Sequence, residues 1–281
     1  MGLNLDPRQR AMLAEMKVPV WWPASDPAPA AHAPAKGEVV GAVAPPPPAA
    51  VTAVLPAQAA PVGTDVQTDR PATLASAGAG VPAMDWQALA QTVRACRACA
   101  LCEGRRAAVF AVEPTPSQCD WLVVGDPPDE HEERAAGPFV GPAGQLLDNM
   151  LRAVACQRDG QGRAGARLTN VVKCRPAPAR NPQADELAQC AVYLRREVAL
   201  TQPRVILAMG RLAAMALLSE GEPGLLQVPF GQLRGRVYRF GGVPVVVTYA
   251  PAKLLRAPLG KADAWADLCL ARALVEQASQ N

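Results

Sequence analysis

From residue 86 onward, apolar residues along the chain fall into two alternating kinds of block. Short runs at 121–125, 168–172 and 204–209 predict strands, the first apolar and the last buried. Longer stretches with helical spacing lie around them, at 88–95, 146–154, 185–200, 210–218 and 261–277. In the second of these, Leu147, Met150, Leu151 and Val154 share one face. Residues 237–240 and 243–249 form a hairpin pattern that turns at Gly241 and Gly242. Strands alternating with helices predict a largely parallel sheet covered on both faces. Ligands of such sheets bind outside the carboxyl ends of the strands. Gly125, Asn170, Gly210 and Tyr249 fall at those ends.

The front of the chain has a different pattern. Residues 23–85 hold 12 of the chain's 29 prolines and no Phe, Trp or Tyr. Such a segment buries too little apolar surface to offset its ordering entropy, so 23–85 is expected to be a disordered Pro/Ala-rich linker. Ahead of it, residues 1–22 end in an apolar island. Met12, Leu13 and Met16 fall near helical spacing, and Trp21 and Trp22 close the segment. Aromatic anchors on a short amphipathic helix are a common docking device, although packing on its own domain is an equally good reading of the island. The expected organisation is a docking peptide at 1–22, the linker at 23–85 and one folded domain at 86–281.

Charge changes this picture little. A formal net charge of +3 is only mildly basic and does not by itself indicate nucleic acid. No apolar run reaches membrane-spanning length and the first residues lack a signal-peptide pattern, so a cytoplasmic protein is expected. In a reducing compartment, eight cysteines point to metal binding or catalysis before disulfides.

Cys96 and Cys99 form a C-x2-C pair, and Cys174 and Cys190 stand apart from it. A four-cysteine cage built from these residues suits zinc or an iron–sulfur cluster equally well on ligand type. Cys102 rivals for one ligand place, because Cys99 and Cys102 also make a C-x2-C. Cys119, Cys156 and Cys269 read as small buried hydrophobes.

Three stretches carry a family resemblance. They are Gly137-Pro-Phe-Val-Gly-Pro-Ala-Gly-Gln-Leu-Leu-Asp148, Asn170-Val-Val-Lys-Cys-Arg-Pro176 and Pro251-Ala-Lys-Leu-Leu-Arg256. Together with the run from Gly125, they resemble the iron–sulfur uracil-DNA glycosylases, family 4, over residues 88–276. The resemblance implies an αβα sandwich with a four-stranded, mainly parallel sheet. It also implies a [4Fe-4S] cluster on Cys96, Cys99, Cys174 and Cys190, and uracil-containing DNA as the bound partner. Phe139 matches the aromatic that stacks on the flipped base, and Asn170 the amide that reads the uracil edge. Gly125 belongs to the substrate-binding motif, while Asp126 carries the carboxylate that positions water. Glu132 and Glu133 match the family's acidic pair, and Glu132 is expected among the catalytic residues with Asp126. Gly141, Gly144 and Arg256 are expected on the DNA backbone.

The sequence departs from the family at two motifs. The usual Gly-Glu-Ala-Pro-Gly is here Gly125-Asp-Pro-Pro-Asp129, with a shorter carboxylate and an added charge at Asp129. The usual His-Pro is here Ala250-Pro251. By resemblance, that histidine donates to the O2 of the departing uracil, and alanine cannot. Losing one such donor typically costs ~100- to 1,000-fold in rate. His131 and Lys253 are the candidate replacement donors.

Arg8, Leu13, Met16, Val18 and Trp21 also resemble the N-terminal peptide of the psi subunit of bacterial DNA polymerase III, which docks on the clamp loader. Two readings follow. In the first, the chain hydrolyses the N-glycosidic bond of deoxyuridine in DNA, in base excision repair, with activity weakened at Ala250. In the second, it is a non-catalytic assembly subunit of the replication machinery on a glycosylase-like scaffold.

Overall fold

The computed structural model describes residues 80–111, 118–158, 160, 165–177, 180–219, 221 and 223–280. The docking peptide expected at 1–22, with Arg8, Leu13 and Trp21, lies outside the described residues, as does residues 23–79 of the expected linker. Residues 80–85 belong to the folded unit: Val81 is fully buried in its core, and Arg196 Nε donates to the carbonyl of Met84 at 2.6 Å. No helix among the described residues is long and apolar enough to cross a membrane.

The fold is an α/β architecture around one five-stranded sheet. The strands are β1 (Trp121–Gly125), β2 (Ala166–Asn170), β3 (Val205–Met209), β4 (Val237–Phe240) and β5 (Val243–Thr248), in the order β2-β1-β3-β5-β4. Four of them run parallel, and β4 adds an antiparallel edge to β5 through the expected hairpin. The sheet therefore has one strand more than the four the resemblance implied.

Alternation along the strands divides the core in two. Leu122, Val124, Ile206 and Ala208 face one side; Trp121, Val123, Val205, Leu207 and Met209 face the other. On the first side pack α1 (Trp86–Ala95), α4 (Ala184–Thr201) and α5 (Arg211–Leu218). On the second pack α3 (Gly141–Ala153) and α8 (Lys261–Gln280). Both faces of the central strands are thereby dry, which is why those strands read as unbroken apolar runs.

Three short α-helices complete the described residues: α2 (Glu130–Ala135), α6 (Phe230–Leu233) and α7 (Pro251–Arg256). The first is not among the helices that the apolar pattern predicts. Asp129 is its N-cap and accepts from the backbone N–H groups of His131 and Glu132, while Glu132 accepts from Asp129 N at 2.8 Å. Asp129 and Glu132 thus close a capping box, whose Asp-x-x-Glu spacing is visible in the sequence. Asp129 is therefore tied into the fold as well as carrying a surface charge. Cys119 and Cys156 are buried as expected, but Cys269 is exposed on α8, because its position on that helix faces away from the sheet.

Candidate active site and cysteine cavity

Strand β1 ends at Gly125 and pairs there with Asn170, the last residue of β2. This register places the two motif residues side by side at the carboxyl edge of the sheet. The 137–140 segment closes over them, and α7 begins opposite. The pocket so formed is lined by Gly125, Asp126, Glu132, Phe139, Asn170 and Ala250, with Met209 also in its wall.

Phe139 is 7% exposed and has a φ of 51°, a left-handed conformation that is costly for a bulky residue. Four contacts hold it there. Its N–H donates to Glu132 Oε1 at 2.6 Å, and its carbonyl accepts from Arg158 Nη2 at 2.9 Å. Its carbonyl sits against the buried Gly144, and the tip of its ring is so close to Gly125 that a Cβ there would lie 2.5 Å from Cζ. A glycine at 125 is thus a requirement of the ring position.

Asn170 is 2% exposed. Its Nδ2 donates to the carbonyl of Asp126 at 2.9 Å and to Glu132 Oε1 at 3.2 Å. Both partners are acceptors, which fixes the orientation of the amide. The Oδ1 atom is buried and has no partner, so the side chain presents an acceptor for a ligand N–H. The amide donors are already engaged within the protein.

Glu132 joins these pieces. Its carboxylate accepts from Phe139 N, Asp129 N and Asn170 Nδ2. Burial pushes its carboxyl above the usual glutamate range, against the pull of those donors. Asp126 turns its carboxylate toward the start of α5, where the N–H of Ala213 donates at 2.9 Å. Burial raises its carboxyl too, opposed by the backbone N–H groups of Ala213, Leu212 and Arg211. Gly210, at φ 113°, is needed because a Cβ there would overlap that carboxylate.

Other expected site residues lie elsewhere. Gly141 is exposed at the start of α3, whereas Gly144 is buried. Arg256 is exposed at the end of α7. Neither candidate replacement donor lines the pocket. His131 is exposed and lies 3.9 Å from Asp129 Oδ2, and Lys253 Nζ sits 3.8 Å from the centroid of the Tyr249 ring. Arg158 was not singled out by the sequence. It follows no motif, and its partners Phe139 and Asp148 lie 19 and 10 residues away.

The cysteines meet in a second cavity, on the α1–α4 side of the sheet. Cys96, Cys99, Cys102, Cys174 and Cys190 all line it, together with Arg105 and Lys173. Arg105 Nη1 donates to Cys174 Sγ at 3.0 Å, and Lys173 N donates to Cys190 Sγ at 3.3 Å. Burial pushes the Cys99 thiol up to about 11 and the Cys190 thiol up to about 12. Among the described residues, no three Cys, His, Asp or Glu side chains converge as one metal ion would require.

Between the two sites lies a buried ion pair. Lys173 and Glu197 are each 2% exposed at the side chain, with Nζ and Oε2 2.7 Å apart. Lys173 Nζ also donates to the carbonyl of Asn170 at 3.0 Å and to Thr169 Oγ1 at 2.5 Å. One residue thus touches Asn170 through its side chain and Cys190 through its backbone.

Comparison with known proteins agrees with this arrangement. The model of the uracil DNA glycosylase superfamily matches residues 113–272. The chain is 35% identical over 195 residues to the type-4 uracil-DNA glycosylase of Pyrobaculum aerophilum, covering 66% of this chain and 93% of that protein. It is 32% identical over 169 residues to the type-4 enzyme of Thermotoga maritima, covering 60% and 82%. It is also 30% identical over 145 residues to the type-5 uracil-DNA glycosylase of P. aerophilum, covering 47% and 61%. With a match across more than half its length and a pocket built from the same motifs, the chain belongs to the uracil-DNA glycosylase superfamily.

Proposed function

We propose that this chain binds uracil-containing DNA and hydrolyses the N-glycosidic bond of deoxyuridine, with activity weakened by the alanine at position 250. The observation that carries the reading is the orphaned Asn170 Oδ1 beside the Phe139 ring. A flipped uracil stacks on that ring and donates its N3–H to that oxygen. Cytosine has no hydrogen at N3, so it would leave the oxygen unpaired. Rejecting a base in this way needs a fixed amide, and Glu132 together with the Asp126 carbonyl fixes it.

In this reading the pocket residues have distinct roles. Phe139 and Asn170 bind the base, and Glu132 holds both in place. Asp126 is the carboxylate nearest in type to a water-positioning group, although α5 also draws on it. Ala250 offers no side-chain donor to a departing base, and neither His131 nor Lys253 reaches the pocket. The leaving anion therefore lacks a preorganised partner there, which supports slow excision.

The cysteine cavity supports a [4Fe-4S] cluster held by Cys96, Cys99, Cys174 and Cys190. A tetrahedral zinc needs four thiolates at about 2.3 Å from one point. A cluster instead takes one thiolate at each of four irons, which suits sulfurs spread around a cavity wall. The donors from Arg105 and the Lys173 backbone are suited to thiolates, and cationic charge in the cavity would offset the burial that keeps these thiols protonated. When bound, such a group cross-links the segment after α1 to the loop after β2 and to α4. Cys102 lines the same cavity and remains the rival ligand.

The test is an excision assay on single- and double-stranded DNA containing one uracil, with uracil release read directly. Slow, uracil-dependent release that is abolished in Asn170→Ala supports the reading. Absence of release, together with no preference for uracil-containing over uracil-free DNA, refutes it.

A further inference from the structure

A further cavity, of about 480 Å3, lies along the outer edge of β2, between α1 and the 137–140 segment. Three arginines line it, Arg94, Arg158 and Arg167, and none of its described lining residues is acidic. Arg158 is already engaged, through Asp148 and the carbonyls of Pro138 and Phe139. Arg167 is 8% exposed and its Nε has no hydrogen-bond partner. Trp86, which also lines the cavity, is 7% exposed, and its indole Nε1 has no partner either.

Buried donors are nearly always paired in folded proteins, and a buried cation without a counter-charge is costly. Two such donors around one cavity, one of them charged, call for an anionic ligand rich in acceptors. Two aromatic rings also line it, Trp86 and Phe110, with centroids 4.9 Å apart and planes at 36°. A ligand that satisfies both features carries a phosphate and a flat ring.

We propose that this cavity binds a nucleotide unit, with its phosphate on Arg167 and the Trp86 N–H and its base against the Trp86–Phe110 wall. Two sources share this chemistry. One is a nucleotide of the strand whose base occupies the Phe139 pocket; Val140 lines both cavities, so the two sites adjoin. The other is a free mononucleotide. Neither source requires the protein to excise uracil.

Calorimetric titration of the full chain with thymidine monophosphate, and separately with a uracil-free oligothymidylate, tests this. Thymidine monophosphate is expected to bind, and Arg167→Met to weaken it by about tenfold or more, as for loss of a charged hydrogen bond. Trp86→Phe keeps a ring and removes the donor, and is expected to weaken binding several-fold. Thermal melting checks that each variant is folded, and Arg167→Lys, which keeps the charge, should retain more affinity than Arg167→Met. If the oligonucleotide also weakens in Arg167→Met, the site serves the bound strand; if only the mononucleotide weakens, it serves the free ligand. Equal affinity in wild type and Arg167→Met for both ligands overturns the proposal. So does loss of mononucleotide binding in Asn170→Ala, which would put the nucleotide in the Phe139 pocket. Binding is read here without excision, so nucleotide binding by a protein that leaves uracil in DNA would sink only the glycosylase reading.

Discussion

Glu132 Oε1 accepts the backbone N–H of Phe139 at 2.6 Å and the side-chain amide of Asn170 at 3.2 Å. One carboxylate oxygen therefore holds both the Phe139 backbone and the Asn170 amide. Glu132→Ala should release both together, leaving Phe139 free to abandon its left-handed backbone. Affinity for uracil-containing over uracil-free DNA is expected to fall at least about tenfold, since two hydrogen bonds to a charged group are lost. Unchanged discrimination in a binding titration would show that Glu132 does not organise the pocket.

Position 250 should limit the rate. Ala250 caps α7 with an extended backbone, φ −63° and ψ 140°, which histidine adopts without strain. Ala250→His is expected to raise single-turnover excision, by up to the ~100-fold attributed to one preorganised donor. No gain would move the defect to the altered 125–129 loop.

Cys174 lies between Arg105 and the rest of the cysteine cavity. Anaerobically purified protein should contain iron and acid-labile sulfide, and Cys174→Ala should lose both. Cys102→Ala should lose neither. Zinc at one equivalent, without iron, would reject the cluster.

The Lys173–Glu197 pair is sealed from water on both sides. Lys173→Met alone leaves a buried carboxylate and should cost about 3–5 kcal/mol of stability. Lys173→Met with Glu197→Leu should recover most of that loss, because no charge is then left buried. Denaturant unfolding of the three proteins decides it.

Asp126 makes a pH prediction. Burial raises its folded value above the ordinary 3.8. A carboxyl with a raised folded value binds its proton more readily in the folded state, so its contribution is greatest below the unfolded value and is lost as pH rises through the folded one. From about pH 4 upward, wild type should lose stability relative to Asp126→Asn. The gap in melting temperature should narrow toward acid if Asp126→Asn is the more stable at neutral pH, or widen in favour of wild type if it is the less stable. A constant difference across that range would contradict it.

Much of this protein was determined locally, and local features can be read from the sequence. The strand runs are apolar because both sheet faces are covered, so 121–125 and 204–209 were legible as strands. Phe139 and Asn170 sit in the motifs that carry the family resemblance, and the Asp129-x-x-Glu132 box is written in four residues. Tertiary structure decided what depends on distant partners. Parallel pairing of β1 with β2 set Gly125 beside Asn170. Glu132 and the Asp126 carbonyl consumed the Asn170 donors and left only its acceptor, a result of contacts 38 and 44 residues apart. Arg158 reached the Phe139 carbonyl from outside any motif, and His131 and Lys253 do not line the pocket. A side chain's type is fixed by the sequence, but which of its hydrogen bonds remain free for a ligand is fixed only when the fold has claimed the others.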